Sequence, residues 1–302
     1  MWASKGGISM SDKKIGFVGY GAMAVPMGEN LKKAGYDVVA FTPSGKAAGK
    51  PSNVPMLSSP REVAENVDVI ILCVPDDNAE NKTLNGENGL LAGLRKGQLI
   101  LDTSTVSPPQ ADHLAKIAHE HGVDVLDTPM SGSTPESERG ELIMLAGGTD
   151  AVLERARPIL DIVGRITIHT GPAGSAARFK LVVNGVMGAT LNIVAEGLAY
   201  GLSEGLDRDM LFNALQELAV ISPHHKRKLK MAHNKSFPSQ FPTRLMNKDM
   251  GLLLDAGRKT GVDMSGMAVA AQKLARSNLS HRDEDYSALF AQMEADVANA
   301  PS

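Results

Sequence analysis

The sequence predicts a doubly wound α/β sheet followed by an all-helical C-terminal domain. Three observations point there. Over the first half, short apolar runs alternate with segments of helical periodicity. A glycine-rich turn joins the first apolar run to the first helix. After Gly174 no strand-like run recurs. The 302 residues suit roughly two domains of about 150, with boundaries expected at 13–172 and 173–302. At 43% hydrophobic and 22% charged, pervasive disorder is excluded, and the 4% aromatic content requires an aliphatic core.

The strand-like runs are Ile15–Val18, Val38–Phe41, Val67–Val74, Gln98–Asp102 and Val123–Leu126. Each is almost continuously apolar, as a parallel strand buried on both faces must be. Helix-like stretches separate them: Met23–Ala34, Pro60–Glu65, Ala79–Leu94 and Pro109–His121. Glu141–Ala146 and Ile166–His169 flank a helix at Ala151–Ile162 and are expected to extend the same sheet. Beyond Gly174 the helices are Ser175–Glu204, Arg208–Leu218, Ser222–Lys230, Leu245–Thr260, Met267–Ser277 and Tyr286–Ala298, broken at glycine and proline positions.

Several function classes are disfavoured. A net charge of -3 lacks the basic balance of nucleic-acid binders. Phe179–Leu202 is apolar, but Lys180, Asn184, Asn192 and Glu196 interrupt it, so it reads as a long buried helix and no membrane partner is expected. The single cysteine, Cys73, sits in an apolar run and permits no internal disulfide, which fits a reducing, cytoplasmic setting. The opening residues lack the apolar stretch of a signal peptide, and Met10-Ser11-Asp12 resembles a second start. His119-Glu120-His121 lacks metal-ligand spacing, and no metal is expected. The basic run His224–Lys228 reads as a solvated helix face.

Gly19-Tyr20-Gly21-Ala22-Met23-Ala24 follows a strand and opens a helix. In that context G-x-G-x-x-A is a dinucleotide-binding turn and makes the sheet Rossmann-type. Gly19 allows the tight turn, Gly21 lets the backbone approach a pyrophosphate, and the helix N-terminus presents free N–H groups to the anion. The second strand ends in Phe41-Thr42-Pro43-Ser44-Gly45-Lys46. No carboxylate stands there to repel a 2′-phosphate, while Ser44 and Lys46 offer a donor and a positive charge. NADP(H) is therefore favoured over NAD(H).

Three further stretches complete the pattern: Asp102-Thr103-Ser104-Thr105-Val106-Ser107-Pro108, Asp127-Thr128-Pro129-Met130-Ser131-Gly132-Ser133, and Gly171-Pro172-Ala173-Gly174 followed by Lys180-Leu181-Val182-Val183-Asn184. Thr105 and Ser131 both follow strand ends, where open α/β sheets bind ligands. Lys180 and Asn184 are four apart, hence on one helix face, and need partners or a cavity on an otherwise apolar segment.

Taken in order, the four motifs resemble the β-hydroxyacid dehydrogenase family over about residues 13 to 298. The resemblance implies a nicotinamide-dependent oxidoreductase interconverting a small carboxylate-bearing aldehyde and its hydroxyacid. It implies Lys180 as proton donor and acceptor, with Asn184 orienting the substrate or the lysine. Ser131, Gly132 and Ser133 would hold the substrate's acid group, Phe241 would line the pocket, and Asp249 would support it. Ser133 departs from the family's usual glycine. Lys248 would contact the cofactor, joining Gly19, Gly21, Ala22, Met23, Thr42, Pro43, Ser44, Lys46, Val74, Pro75 and Thr105. Association into a homodimer or homotetramer is also implied. Two rival readings are an imine reductase, which usually carries another residue where Lys180 stands, and a non-catalytic dinucleotide-binding protein of the same fold.

Overall fold

The structure is a computed structural model that describes residues 14–47 and 52–299. Position 13, the opening of the first expected domain, and the second-start signature at Met10 lie outside the described residues. The chain divides into two compact units, one ending at Lys180 and one beginning at Leu181. The division falls a few residues beyond the expected 172/173 boundary, inside a continuous helix.

The first unit holds β1 (Lys14–Val18), α1 (Ala24–Lys33), β2 (Asp37–Phe41), α2 (Pro60–Asn66), β3 (Val69–Leu72), α3 (Asp77–Leu84), β4 (Leu99–Asp102), α4 (Pro108–Glu120) and β5 (Asp124–Asp127). It continues with β6 (Met130–Ser131), α5 (Thr134–Arg139), β7 (Leu142–Gly147), α6 (Asp150–Val163), β8 (Gly164–Gly171) and the start of α7 (Ser175–Ser203). The strands order as β2-β1-β3-β4-β5-β7-β6, with β8 on β7. β2 through β5 are parallel, with Ile15 opposite both Val38 and Val69, and Asp102 opposite Asp127. β7 then enters antiparallel to β5 through Asp127 and Gly147, a departure from the parallel expectation, and β8 runs parallel to β7.

Alternate residues feed two cores. Ile15, Phe17, Ile71 and Leu101 pack under α1 and α6, while Val18, Ile70, Leu72 and Ile100 pack under α2 and α4. The helix expected over Ala79–Leu94 stops at Leu84; Asn85–Gly89 intervenes, and Leu90–Gly93 forms a 3-10 turn. Asn85 leaves the helix in extended conformation at ψ 162°, and Gly86, at φ 91°, turns the chain away from it.

The second unit is helical: the rest of α7, α8 (Arg208–Glu217), α9 (Pro223–His233), α10 (Thr243–Thr260), α11 (Ser265–Ser280), a 3-10 turn at Tyr286–Ala288 and α12 (Leu289–Ala298). Leu191, Leu198, Phe212, Leu229, Met246 and Phe290 lie in its core. Gly185 lets α7 approach α10 closely, since a Cβ there would lie 2.2 Å from Leu253 Cδ2. α7 is not the fully buried helix expected. Its most apolar window, of mean hydropathy 1.4, is 44% buried; Phe179, Val186, Ile193 and Tyr200 are exposed on a seven-residue rhythm, with Val182 exposed one turn before Val186.

Candidate active site

The glycine turn has the geometry a dinucleotide needs. Gly19 sits at φ 90°, and a Cβ there would lie 2.2 Å from the carbonyl oxygen of Cys73. A side chain is thus excluded twice, by conformation and by space. At Gly21 a Cβ would meet no protein atom within 4 Å. That open space lies at the start of α1, whose first turn has no side-chain cap. Val25 N makes the first intrahelical bond, to Gly21 O, so the N–H groups of Ala22, Met23 and Ala24 precede the ladder, as an anion-binding helix start requires. Gly28 contributes by packing, since a Cβ there would press on the Tyr20 ring.

A cavity of about 660 Å³ opens beside this turn. Of the residues expected at the cofactor, Gly19, Gly21, Thr42, Pro43, Val74 and Pro75 line it. Lys82, Thr83 and Asn88 line it too, and carry no motif by which sequence could have found them. Ala22, Met23, Thr105, Ser44 and Lys46 are not part of that lining. Ser44 and Lys46 sit on an exposed turn, where Ser44 Oγ donates to the Lys46 carbonyl at 3.0 Å.

The strand ends are stitched together by short polar side chains. Ser104 Oγ accepts from Val74 N at 3.1 Å, and Asp102 Oδ1 accepts from Ser104 N at 3.0 Å. Asp77 Oδ1 accepts from Ser107 N at 2.8 Å, which ties the loop carrying half-buried Thr105 to α3.

Beneath this loop lies a buried carboxyl with one idle oxygen. Glu80 is fully buried; Oε1 accepts from Gln110 Nε2 at 2.9 Å, and Oε2 has no partner. Burial, and then the charge of Asp102, push its pKa up to about 9, so it is neutral near pH 7. The folded state therefore retains a proton that the unfolded chain, near 4.5, releases. Stability from this group is fully present below about pH 4.5 and is lost as the pH rises toward 9. Glu80→Gln keeps the shape without the titration. Its melting temperature relative to wild type is expected to rise between pH 5 and pH 8.5, by at least about 1 kcal/mol or roughly 2–4 °C. An identical difference at both pH values in differential scanning fluorimetry would show that Glu80 is ionised when buried.

The serine-rich loop after β5 leads into a helix cap. Ser133 N and Ser133 Oγ both donate to Glu136 Oε2, at 2.8 and 2.6 Å, forming the capping box of α5. Ser133, expected at the substrate's acid group, thus directs both donors to Glu136 in this structure. Half-buried Ser131, and exposed Gly132 at φ 140°, remain on the loop.

Asp127 was not singled out by the sequence. It is buried at the end of β5, and its carboxylate caps α7: Oδ1 accepts from Gly174 N at 2.7 Å and Oδ2 from Ala177 N at 2.9 Å. Gly147 makes room, since a Cβ there would lie 2.5 Å from Asp127 Oδ1. Burial raises the Asp127 pKa, and these backbone bonds oppose the rise.

Lys180 is buried at 8% exposure on α7, at the end of the first unit. Asn184, one turn later, opens the buried polar set of the second unit. Its Nδ2 donates to Asp249 Oδ2 at 2.6 Å, and Lys248 Nζ pairs with Asp249 Oδ1 at 2.8 Å. The carboxylate can only accept, which fixes the amide's orientation. Asn184 Oδ1 is left buried with no hydrogen-bond partner. Asp249, expected to support the site, and Lys248, expected to contact the cofactor, both take part in this network. Phe241 is half-buried, its ring edge-on to Tyr286 at 5.9 Å.

Comparisons with known proteins agree with the fold. Residues 14–171 match the family model for the NAD-binding domain of 6-phosphogluconate dehydrogenase. Residues 174–293 match the family model described as NAD-binding of NADP-dependent 3-hydroxyisobutyrate dehydrogenase. The 2-(hydroxymethyl)glutarate dehydrogenase of Eubacterium barkeri is 33% identical, over 86% of this chain and 87% of its own. Glyoxylate/succinic semialdehyde reductase 2 of Arabidopsis thaliana, chloroplastic, is 32% identical, over 93% and 79%. Among solved structures, the 3-hydroxyisobutyrate dehydrogenase of Mycobacterium tuberculosis with L-serine superposes with a TM-score of 0.81 at 28% identity, covering 93% of this chain and 99% of that one.

Proposed function

The chain belongs to the β-hydroxyacid dehydrogenase family and is a nicotinamide-dependent oxidoreductase of a small molecule, and from that premise we propose that it reduces a short aldehyde bearing a carboxylate, with NADPH preferred and Lys180 as proton donor. The observation that carries this reading is the buried, unpartnered Oδ1 of Asn184, one helical turn from buried Lys180. A buried acceptor without a partner is costly, and a substrate hydroxyl or an ammonium would satisfy it.

The open space over Gly21, the uncapped start of α1 and the neighbouring cavity fit a dinucleotide. When bound, the nicotinamide supplies the hydride. Lys180 stabilises the negative charge developing on the carbonyl oxygen and gives it a proton. In the reverse direction the neutral amine takes the alcohol proton. Asn184, held by Asp249, orients the reacting oxygen, and Ser131 with Gly132 meets the acid group.

The NADPH preference rests on the end of β2, where exposed Ser44 and Lys46 stand and a carboxylate does not. Initial rates of absorbance loss at 340 nm with glyoxylate, tartronate semialdehyde, methylmalonate semialdehyde and succinic semialdehyde test the reading. At least one is expected to turn over, with kcat/KM for NADPH about tenfold or more above that for NADH. Turnover of preformed imines but of none of these aldehydes would replace the proposal with an imine reductase. The exposed stripe Val182, Val186, Ile193 and Tyr200 on α7 supports association with a second copy of the chain.

A further inference from the structure

The basic run on α9 is only partly the solvated face that its composition suggests. Lys228 is 2% exposed and His225 is buried, whereas Arg227 and Lys230 face outward. Lys228 Nζ reaches both carboxylate oxygens of Asp285 at 2.8 Å, and Asp285 is fully buried. Asp285 Oδ1 also accepts from Ser287 N at 3.1 Å and Ser287 Oγ at 2.7 Å. Its Oδ2 accepts from Gln240 N at 3.2 Å and Phe241 N at 3.0 Å.

The last two bonds matter most. Residues 237–242 form no helix or regular strand, and Pro238 and Pro242 have no N–H to offer. Asp285 holds this segment from both sides. Its side chain takes two N–H groups, its own N–H donates to Phe237 O at 3.1 Å, and Tyr286 N donates to Phe241 O at 3.0 Å. The Tyr286 ring meets Phe241 edge-on, its hydroxyl bonds His224 Nε2, and Lys228 Nζ lies 5.0 Å from its centroid. A buried ion pair gains little stability over apolar residues of the same volume, because desolvation offsets the attraction. Its value lies in fixing one conformation.

We propose that Lys228 and Asp285 are positioning residues: the buried pair clamps the Phe237–Pro242 segment and sets where the Phe241 ring stands, and so determines which aldehydes the enzyme accepts. This rests on the reading that Phe241 lines the substrate pocket. Neither residue touches the reacting atoms, so the effect falls on substrate KM rather than on the chemical step.

The test compares Asp285→Asn, Phe241→Ala, the double variant and Lys228→Arg, with glyoxylate and succinic semialdehyde as probes. Asp285→Asn is expected to raise the KM for aldehyde about tenfold, with the KM for NADPH and kcat within about twofold. Phe241→Ala is expected to raise the same KM, and the double variant to add little, since both act through one ring. Lys228→Arg, which keeps the charge, is expected to stay within about threefold of wild type. Should Asp285→Asn not fold, the double variant Lys228→Met with Asp285→Leu carries the same comparison, because it removes both charges together and with them the carboxylate that holds Gln240 N and Phe241 N. A lower melting temperature with unchanged KM in the clamp variants, while Phe241→Ala raises KM, would overturn the clamp and leave the pocket reading standing. Unchanged KM in Phe241→Ala would overturn the pocket reading, and the clamp with it.

Discussion

Lys180→Ala is expected to lower kcat for aldehyde reduction by about 10²–10⁴-fold, the range for loss of a positioned proton donor. The KM for NADPH should change little. Carbonyl oxygen becomes alkoxide-like as hydride arrives, and in a water-poor site that charge needs a nearby cation. Lys180 is buried and lies one turn from an amide oxygen that lacks a partner. A water admitted by the truncation can donate a proton but brings no fixed charge, so partial activity at high pH is not expected to return. Lys180→Arg should recover little, since a guanidinium does not release its proton near neutral pH. Stopped-flow single turnovers separate the chemical step from product release. A loss below about threefold, with the protein folded, would remove Lys180 from the chemistry and favour the non-catalytic reading of the fold.

Much of this site was legible because its signals are local. Gly19 and Gly21 are two residues apart, and Lys180 and Asn184 share one helix face, so spacing alone brings each pair together. The capping box of α5 was equally local, with Ser133 and Glu136 in the S-x-x-E pattern beside Pro135. Its signal was there, but the Ser-Gly-Ser segment also reads as a ligand-binding turn. Contacts made across the fold left no such trace. Asp127 meets Gly174 and Ala177 across 47 and 50 positions, and Lys228 meets Asp285 across 57. In sequence, Asp127 is one more polar residue after a strand and Lys228 one more charge in a basic run. Only the sheet order, with β7 antiparallel beside β5, puts Gly147 where it makes room for the Asp127 carboxylate.

Removing that carboxylate is the second large effect. Asp127→Ala strands the Gly174 and Ala177 N–H groups at the buried start of α7. An orphaned buried donor costs about 1–3 kcal/mol, so a combined loss of about 2–5 kcal/mol is expected, or roughly 5–15 °C in melting temperature. Asp127→Asn is the sharper probe. Its amide oxygen can accept one of the two bonds, while its NH₂ group faces the other donor, so about half the stability loss should remain. The catalytic consequence is separate. Lys180 lies three residues beyond Ala177 on the same helix, so a loosened first turn shifts the ammonium, and a misplacement near 1 Å can cost about 10²-fold in rate. Asp127→Asn is therefore expected to lower kcat about tenfold or more at a temperature where the variant is fully folded, with NADPH binding by fluorescence titration nearly unchanged. If only the melting temperature falls, Asp127 supports the fold without aiming the lysine; if kcat falls with it, the cap at the end of β5 is part of how this sheet positions the proton donor.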